Sequence, residues 1–360
     1  MRYIHKLPAW PKFHRNDAAL APLLGPVRHR QGRLVGRMDA LGYPLRADAT
    51  LRALTEEVVK SSEIEGEILD DAQVRSSLAR RLGMDVAGLV PSERDVDGVV
   101  EMLLDATQKF AEPLTADRLS SWMSKITVGA WRNDASGPMQ VVSGPLGRTR
   151  VHYEAPGAER LEAEMRAFLD WFNDGAVSCD PIIKAALAHL WFVTIHPFDD
   201  GNGRIARAIT DMALARSEQS AQRFYSMSSQ IRAERKTYYE TLEAMQKGTL
   251  DVTPWLRWFL ACLDRAFDRA ETFLRPVRQK ARFWETHSTV PLNERQRAIL
   301  NRHLDGFEGE LTSSKWAKLA KCSQDTALRD IDDLLSRGIL ARNEGGGRST
   351  SYSLVLPVLG

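Results

Sequence analysis

Cysteine is scarce in this sequence of 360 residues, with three residues at Cys179, Cys262 and Cys322 and no CxxC spacing. This scarcity argues against a disulfide framework or a cysteine-rich zinc site and fits a reducing compartment. Long apolar runs are also missing, so we expect no transmembrane helix. The first ten residues contain no apolar signal core, so we expect a cytoplasmic protein.

Charge of one sign is not in excess, because 49 Lys and Arg residues stand against 47 Asp and Glu residues. Global charge therefore gives no reason to expect nucleic acid as a partner. The apolar and charged fractions, 43% and 27%, are typical of a soluble globular protein. The length exceeds one ordinary hydrophobic core, so we expect two or three domains.

Helical patterns dominate the chain. Residues 1–45, rich in aromatic residues and proline, predict an irregular lead followed by a helix, and residues 47–69 show apolar residues at helical spacing. Asp180-Pro181 is a strong helix start, and that helix should end at His196-Pro197 because proline disfavours helix at the preceding residue. Further helices are predicted at residues 93–110, 116–128, 157–174, 204–215, 228–247 and 254–280.

Two regions depart from this pattern. Residues 139–153 read as two short apolar stretches around a Gly-Pro turn, which predicts a β-hairpin. From about residue 291 the pattern predicts three short helices followed by two strands around a glycine loop at residues 345–347. That order is typical of a winged helix. The sequence therefore predicts a mainly α protein with a hairpin and a separate winged-helix domain.

Residues 196–207 read His-Pro-Phe-Asp-Asp-Gly-Asn-Gly-Arg-Ile-Ala-Arg. Gly201 and Gly203 allow backbone N–H groups to converge and a ligand to approach closely. The helix that follows presents its N-terminus to the same point, and such a terminus favours phosphate. Arg204 and Arg207 share one face of that helix, and guanidinium groups suit phosphate oxygens.

Two further groups complete this set. Asp200 would be repelled by bare phosphate at this position, and a bound Mg²⁺ would resolve the repulsion. His196 has an ordinary pKa near neutrality and can accept a proton from an attacking hydroxyl. A surface loop of satisfied polar residues is the alternative, but the convergence within twelve residues favours a phosphoryl or nucleotidyl transfer site.

The segment also resembles the signature of the Fic family, His-x-Phe-x-Asp/Glu-Gly-Asn-Gly-Arg-x-x-Arg, at every fixed position. The resemblance covers residues 50–280 and implies an all-helical core in which Phe198 anchors the loop. It implies that His196 is the general base for a Ser, Thr or Tyr hydroxyl of a target protein, or of the enzyme itself. That hydroxyl would attack the α-phosphorus of ATP, so that AMP stays on the protein and pyrophosphate leaves.

The resemblance also implies the ligands of ATP. Asp200 would hold Mg²⁺, and Arg207 would reach the γ-phosphate. The hairpin at residues 139–153 resembles the family's flap, on whose edge a target segment could pair; an ordinary connecting hairpin is the alternative. The remaining residues assigned to ATP binding are Glu65, Val142, Ser143, Gly144, Gly201, Asn202, Gly203, Arg204, Tyr239 and Gln246.

Residues 61–66, Ser-Ser-Glu-Ile-Glu-Gly, resemble the family's inhibitory motif, Ser/Thr-x-x-x-Glu-Gly/Asn, in the class with an N-terminal inhibitory helix. Its key positions would be Ser61, Glu65 and Gly66. Glu65 near a helix C-terminus is poorly placed for the macrodipole, so another interaction should compensate. The resemblance implies a salt bridge from Glu65 to Arg207 in the position of the γ-phosphate. The alternative is a solvated acidic helix end.

The expected domains are an N-terminal Fic-associated segment at residues 1–45, a Fic core at 46–285 and a winged helix at 290–360. DNA binding is not favoured, because acidic residues on the expected recognition helix repel phosphate. Those residues are Asp325, Asp330, Asp332 and Asp333, partly offset by Arg342 and Arg348. A protein-docking or homodimer role is the alternative. For the whole chain, three other functions stay open: a DNA-binding regulator with a nucleotide-sensing core, removal of AMP, and transfer from another donor.

Overall fold

The computed structural model describes residues 3–86, 88–135, 137–144, 148–176, 179–306, 309–343 and 350–357. The chain forms two compact units, the first made of Met1–Ala40 with Arg46–Ala270 and the second of Leu41–Leu45 with Glu271–Gly360. Most described residues are helical, which confirms the mainly α fold. Among the described residues, no helix is both long enough and apolar enough to cross a membrane.

The first unit contains eleven described α-helices, some of which extend past its borders, two short 3₁₀ helices (Ile4–Lys6 and Ala158–Arg160) and one antiparallel hairpin. The helices are α1 (Asp17–Asp39), α2 (Tyr43–Ile64), α3 (Asp71–Arg81), α4 (Arg94–Gln108), α5 (Ala116–Ile126), α6 (Leu161–Asn173), α7 (Pro181–Ile195), α8 (Asn202–Glu218), α9 (Met227–Ala233), α10 (Arg235–Gln246) and α11 (Thr253–Phe273). The hairpin consists of β1 (Gln140–Ser143) and β2 (Arg150–Glu154), with a register shift between Val141 and Val142.

Helix α7 is the centre of this unit. It is apolar on all sides, as expected of a helix surrounded by protein. The carboxylate of Asp180 accepts hydrogen bonds from the backbone N–H groups of Ile182 and Ile183, so the helix start predicted at Asp180-Pro181 is confirmed. Helix α7 packs along α8, and the loop that joins them carries residues 196–201.

Several predicted boundaries were wrong. The helix expected at residues 47–69 ends at Ile64, because Gly66 adopts a left-handed conformation with φ 91° that stops the helix. The helix expected at 228–247 is divided into α9 and α10 at Glu234, whose φ and ψ of −111° and 24° are not helical. Helix α3 was not predicted; its start is capped by Asp70, which accepts from the N–H of Gln73.

The second unit contains four described helices, α12 (Arg275–Thr286), α13 (Glu294–Leu304), α14 (Ser313–Ala320) and α15 (Gln324–Ser336). Its strands β3 (Leu311–Thr312), β4 (Leu340–Arg342) and β5 (Ser351–Leu354) form an antiparallel sheet in the order β3-β5-β4. Trp316 and Leu334 lie in its core. The winged-helix assignment stays a prediction, and its glycine loop and Arg348 lie outside the described residues.

The acidic face expected on the recognition helix is smaller than its composition suggested. Asp330 is buried, and its carboxylate accepts from the guanidinium of Arg295 at 2.9 Å. Asp333 accepts from Arg337 at 2.8 Å and from Gln296 at 2.9 Å. These two carboxylates therefore hold helices together instead of facing a ligand.

Candidate active site

A cavity of about 930 Å³ lies where α7 ends and α8 begins. The residues predicted for the site that line it are His196, Glu65, Val142, Ser143, Asp200, Gly201, Asn202, Gly203, Tyr239 and Gln246. The cavity thus joins the hairpin, the loop after α7, helix α10 and the segment after α2. Gly144 lies at the end of β1 with φ 102° and is not part of the lining.

Arg204 and Arg207 also do not line the cavity. Both are almost completely buried, with exposed fractions of 2% and 3%. Buried guanidinium groups require anionic or carbonyl partners, because an unpaired buried charge is strongly destabilising. The partners that these two arginines have in the structure are therefore central to what the site can do.

The loop between α7 and α8 is closed by its own side chains. The side-chain oxygen of Asn202 accepts from the N–H of Phe198 at 3.0 Å, and its Nδ2 donates to the carbonyl of Phe198 at 2.7 Å. The Phe198 ring is fully buried, 4.5 Å from the ring centroid of Trp131. Asn202 thus closes the loop, and its assignment to phosphate binding stays a prediction.

The N-terminus of α8 is occupied by a carboxylate. A Cβ atom on Gly203 would lie 2.1 Å from Oε1 of Glu65, so only glycine permits this approach. Gly201 precedes the helix in a left-handed conformation with φ 76°. Because a helix N-terminus attracts anions, Glu65 stands where a phosphate would also be stabilised.

His196 is held in a defined tautomer. Its Nδ1 lies 3.3 Å from the carbonyl oxygen of Val193, which can only accept, so the proton is on Nδ1 and Nε2 carries the free lone pair. Burial, with a smaller contribution from the charge of Arg132, lowers the pKa of His196 to about 4, against the opposing effects of the bond to Val193 and the carboxylates of Glu65 and Asp200. The imidazole is therefore neutral near pH 7, as a general base must be.

The carbonyls at the end of α7 are satisfied by side chains from other elements. Nε of Arg132 donates to the carbonyl of His196 at 2.7 Å, and Nη2 donates to that of Ile195 at 3.2 Å. The hydroxyl of Tyr153 donates to Thr194 at 2.6 Å. The last carbonyls of a helix lack partners within it, so these donors complete the helix end. Neither Arg132 nor Tyr153 was predicted, because their partners are distant in sequence.

Arg207 is bound by the segment at the end of α2. Its Nη2 lies 2.8 Å from Oε1 of Glu65, which is the ion pair that the resemblance implied. Its Nε donates to the hydroxyl of Ser61 at 2.9 Å, and Nη2 also donates to the Ser61 carbonyl at 2.8 Å. Its buried Nη1 has no hydrogen-bond partner among the described residues. One donor of the fork is thus left for a further acceptor.

Arg204 has a carboxylate partner that the sequence analysis missed. Its Nη1 donates to Oε2 of Glu67 at 2.6 Å, and Nη2 donates to Asp200 at 3.4 Å. Burial raises the pKa of Glu67, and the charge of Arg204 opposes that shift. Glu67 follows the resembling motif by one residue, so the motif alone could not identify it. The carboxylates of one short segment therefore neutralise both Arg204 and Arg207.

The turn after α2 explains how one segment reaches both arginines. The N–H of Glu67 donates to the carbonyl of Ser62 at 3.1 Å, and that of Gly66 donates to Glu63 at 3.1 Å. These two bonds, with φ 91° at Gly66, form a Schellman motif. The motif places Glu65 and Glu67 on either side of the glycine.

The hairpin is attached to α10 by one carboxylate. Glu243 accepts from Nδ1 of His152 at 2.7 Å and from Arg150 at 3.0 Å, and the hydroxyl of Ser143 lies 2.5 Å from Nε2 of His152. Burial would raise the pKa of Glu243, but hydrogen bonds from Lys247, His152 and Arg150 outweigh it and hold the pKa at about 2. The permanent charge of Glu243 therefore holds the hairpin on the cavity.

Asp200 is the predicted metal ligand. Its side chain is 65% exposed and lines the cavity. Among the described residues, no group of three or more His, Cys, Asp or Glu could hold a metal ion. A single carboxylate fits Mg²⁺, which commonly keeps several waters and takes other ligands from substrate phosphates.

The fold and the cavity define a mainly helical domain in which a histidine and a helix N-terminus suited to an anion meet in one cavity. Residues 102–214 match the Fic/DOC family. Residues 3–84, which include the segment from Ser61 to Glu67, match a domain of unknown function (DUF4172).

Two relatives of the chain carry the same name. Protein adenylyltransferase Fic of Culex quinquefasciatus is 28% identical over 246 residues, which cover 66% of this chain and 46% of that protein. The protein of the same name from Drosophila grimshawi is 28% identical over 242 residues, covering 64% and 47%. The chain thus spans about half the length of the curated relatives that it matches.

Solved structures share the fold. A Fic family protein from Desulfovibrio desulfuricans G20 aligns with a TM-score of 0.56 at 20% identity, covering 94% of this chain and 96% of that one. A signalling protein from Bacteroides thetaiotaomicron that contains a Fic domain aligns with a TM-score of 0.50 at 20% identity, covering 71% and 97%. At this identity the likeness concerns the fold alone.

Proposed function

We propose that this protein is an adenylyltransferase that transfers AMP from ATP to a protein hydroxyl and that the segment after α2 holds it inactive. One observation carries the proposal: His196, whose Nδ1 faces the carbonyl oxygen of Val193, lines the same cavity as the glycine-rich N-terminus of α8. A base and an anion site in one cavity suit attack of a hydroxyl on a phosphate ester. The relatives named protein adenylyltransferase support AMP as the group transferred.

In the proposed reaction, the triphosphate of ATP lies over the first turn of α8, with Arg204 and Arg207 beneath it. Nε2 of His196 accepts the proton of the target hydroxyl. The hydroxyl oxygen bonds to the α-phosphorus, and the bond from that phosphorus to the bridging oxygen breaks. AMP remains on the protein, and pyrophosphate leaves with the electron pair. Positioning and charge stabilisation by groups already in place supply most of the catalysis.

Asp200 is the residue that would hold Mg²⁺ against the phosphates. Bound there, Mg²⁺ would neutralise the negative charge that the phosphates of ATP bring close to the Asp200 carboxylate. The exposure of Asp200 into the cavity supports this assignment. Its ion pair with Arg204 at 3.4 Å leaves most of the carboxylate accessible.

The target protein would dock on the hairpin. Among the described strands, β1 pairs only with β2, and Val142 is 49% exposed. An extended segment can add to such an edge through main-chain hydrogen bonds. These bonds form with many different side-chain sequences in the added segment. The hydroxyl to be modified would then be selected by its position in the strand and by its reach to His196.

The regulation that we propose rests on two arginines that already have carboxylate partners. Glu65 neutralises Arg207, and Glu67 neutralises Arg204. The two carboxylates occupy the sites that the phosphates of ATP need, so binding of ATP in a reactive position requires their displacement. The unmodified chain is therefore an adenylyltransferase of low activity until a signal or a variant displaces this segment.

Incubation with ATP labelled at the α-phosphorus tests the proposal. We expect the Glu65→Gly variant to label itself or proteins of a bacterial lysate, and mass spectrometry to identify AMP on a Ser, Thr or Tyr side chain. The double variant Glu65→Gly, His196→Ala should give no label. An adduct other than AMP, or equal labelling in the double variant, would overturn the proposal.

The alternatives drawn from the sequence are removal of AMP, another donor, DNA binding by the second unit and a homodimer. No contact or comparison favours any of them, and they stay predictions. A mobility-shift assay of the full chain with DNA, at stated salt concentration, tests the DNA alternative.

A further inference from the structure

We infer that Arg132 is a positioning residue, which fixes the backbone of His196 so that the imidazole can serve as the base. The inference rests on the proposed function, because it concerns the residue that would accept the proton there. Arg132 is not itself part of the cavity lining, so it would act through the residues that it holds.

The contacts of Arg132 are concentrated on the backbone around His196. Nε donates to the carbonyl of His196 at 2.7 Å, Nη2 donates to that of Ile195 at 3.2 Å, and its backbone N–H donates to Pro197 at 3.1 Å. The side chain is 1% exposed, so water does not compete for these bonds. Three consecutive carbonyls of the loop are thus held by one residue.

The held backbone is strained. His196 adopts φ 52°, in the left-handed region that residues with a Cβ rarely occupy. Asp134 adopts φ 55°, and its carboxylate accepts from Nη1 of Arg132 at 2.8 and 3.0 Å. Such conformations persist only where the surroundings determine them. Arg132 contacts both strained residues, which identifies it as the group that keeps them in place.

The left-handed backbone has a chemical consequence. It turns the chain after α7 so that Nδ1 of His196 reaches back to the carbonyl of Val193. That bond fixes the proton on Nδ1 and leaves Nε2 free as the base. If the backbone of His196 relaxed to an ordinary conformation, the bond and the preferred tautomer would be lost together.

The same clamp includes the hairpin. Nη2 of Arg132 also donates to the carbonyl of Pro156, which follows β2 closely, and the carboxylate of Asp134 accepts from the N–H of Ala158 at 2.8 Å. The base and the end of the strand pair on which the target would dock are therefore held by one guanidinium. Loss of this group should misplace the hydroxyl and the base relative to each other.

The test compares Arg132→Lys with Arg118→Lys, both in the Glu65→Gly protein. Arg118 is a matched control, because its side chain is 10% exposed and it also donates to a carboxylate and to backbone carbonyls, including those of Asp105 and Lys109. The measurements are kcat for AMP transfer, Kd for ATP, and the unfolding temperature of each variant.

We expect Arg132→Lys to lower kcat by about 100-fold, the effect of a small misplacement, with Kd for ATP unchanged. Arg118→Lys should lower the unfolding temperature without lowering kcat. Asp134→Asn, which keeps Arg132 but weakens its orientation, should lower kcat by a smaller factor. Equal kcat in the two lysine variants, or a loss explained entirely by Kd, would overturn the inference.

A spectroscopic measurement separates this inference from the proposed function. In protein with ¹⁵N-labelled histidine, the signals of His196, assigned by their loss in His196→Ala, should report a proton on Nδ1. Arg132→Lys should shift them toward a mixture of tautomers, and Arg118→Lys should not. If the Glu65→Gly parent transfers no AMP, the proposed function fails, and an unchanged tautomer in Arg132→Lys would then overturn the positioning inference independently.

Discussion

Oε1 of Glu65 lies 2.8 Å from Nη2 of Arg207, and the same carboxylate stands over the first turn of α8 at Gly203. A guanidinium that is 3% exposed needs an anion at all times, because leaving it buried and unpaired is strongly destabilising. Under the proposed function, two anions, the carboxylate and a phosphate of ATP, would compete for this one cation. Activation of this protein should be an exchange of anions, and several predictions depend on that exchange.

The hydroxyl of Ser61 contributes to the occupied state of Arg207, since it accepts from Nε at 2.9 Å. In the otherwise native chain, Ser61→Ala should raise the rate of AMP transfer by about tenfold, because a hydrogen bond to a charged group contributes about 1.5 kcal/mol. The increase should be smaller than that from Glu65→Gly, which removes the charge. Radiolabel incorporation over time measures both.

Ser62 is the control for this change. Its side chain is fully buried beside Ser61, and its hydroxyl has no hydrogen-bond partner among the described residues. Ser62→Ala should leave the transfer rate at the native level, since Arg207 keeps its three acceptor contacts. If Ser62→Ala activates as much as Ser61→Ala, loosening of α2 and not release of Arg207 is the cause.

Glu67 should act as a second inhibitory carboxylate through Arg204. In the Glu65→Gly background, Glu67→Gln should tighten ATP binding by roughly threefold, the value of a partly exposed ion pair, because Arg204 then loses the nearer of its two carboxylate partners. Titration calorimetry with ATP and Mg²⁺ measures the affinity. Weaker ATP binding in Glu67→Gln would show that Glu67 supports Arg204 instead of blocking it.

The same segment offers a control for Glu67. Glu63 forms its ion pairs with Lys60 at 2.7 Å and Arg232 at 3.0 Å. These partners do not include Arg204 or Arg207. Glu63→Gln removes one negative charge from the same segment of the chain. It should leave ATP affinity unchanged, so a general effect of net charge is distinguished from release of Arg204.

The sequence predicted the groups of the site better than their connections. Residues 196–207 are contiguous, and helical spacing alone places Arg204 and Arg207 on one face. The pair of Glu65 with Arg207 spans 142 positions and was predicted only because a family motif marks both ends. Glu67 and Arg204 are separated by a similar number of residues, but Glu67 lies outside the family motif, so no sequence pattern could identify this contact.

Helix boundaries show the same limit. Asp180-Pro181 is a local signal and predicted the start of α7 correctly. The end of α2 depends on whether Gly66 adopts a positive φ, and a glycine within an apolar periodic stretch can also remain helical. The contacts of Arg132 with Ile195 and His196 arise only when segments more than 60 positions apart meet, so its role required the folded structure.

Gly66 should be essential to inhibition for a backbone reason. With φ 91° and open space at the position of a Cβ, Gly66→Ala adds strain without a clash and should lower the free energy of unfolding by about 1–2 kcal/mol. Relief of that strain would change the Schellman turn and move Glu65 and Glu67 from their arginines. AMP transfer should therefore rise. Chemical denaturation and label incorporation measure the two effects.

Gly83 separates stability from activation. It ends α3 with φ 64° and the same pair of hydrogen bonds, from Gly83 to Arg80 and from Met84 to Ala79, and its Cβ position is also open. Gly83→Ala should lower stability by a similar amount and leave AMP transfer unchanged. Activation by both variants would mean that destabilisation alone relieves inhibition.

The pH dependence of the transfer rate should report the lowered pKa of His196. A base acts in its unprotonated form, so activity is full above its pKa and falls below it. Burial lowers the pKa of His196 from 6.5 to about 4. The rate of the Glu65→Gly protein should therefore stay constant as the pH falls from 7 through 6.5, and it should decline only toward about pH 4. Removal of Glu65, whose charge raises the pKa, moves the decline slightly lower.

The same shift makes stability depend on pH in a defined direction. The folded chain binds fewer protons at His196 than the unfolded chain between the two pKa values, so the free energy of unfolding should fall as the pH falls from about 6.5 to about 4. His196→Ala should make that fall shallower, because the unfolded chain then has one proton fewer to bind. Rates measured where circular dichroism shows a folded protein keep the two effects apart. A half-maximal rate near pH 6.5 would contradict the assignment of a buried, neutral His196 as the base.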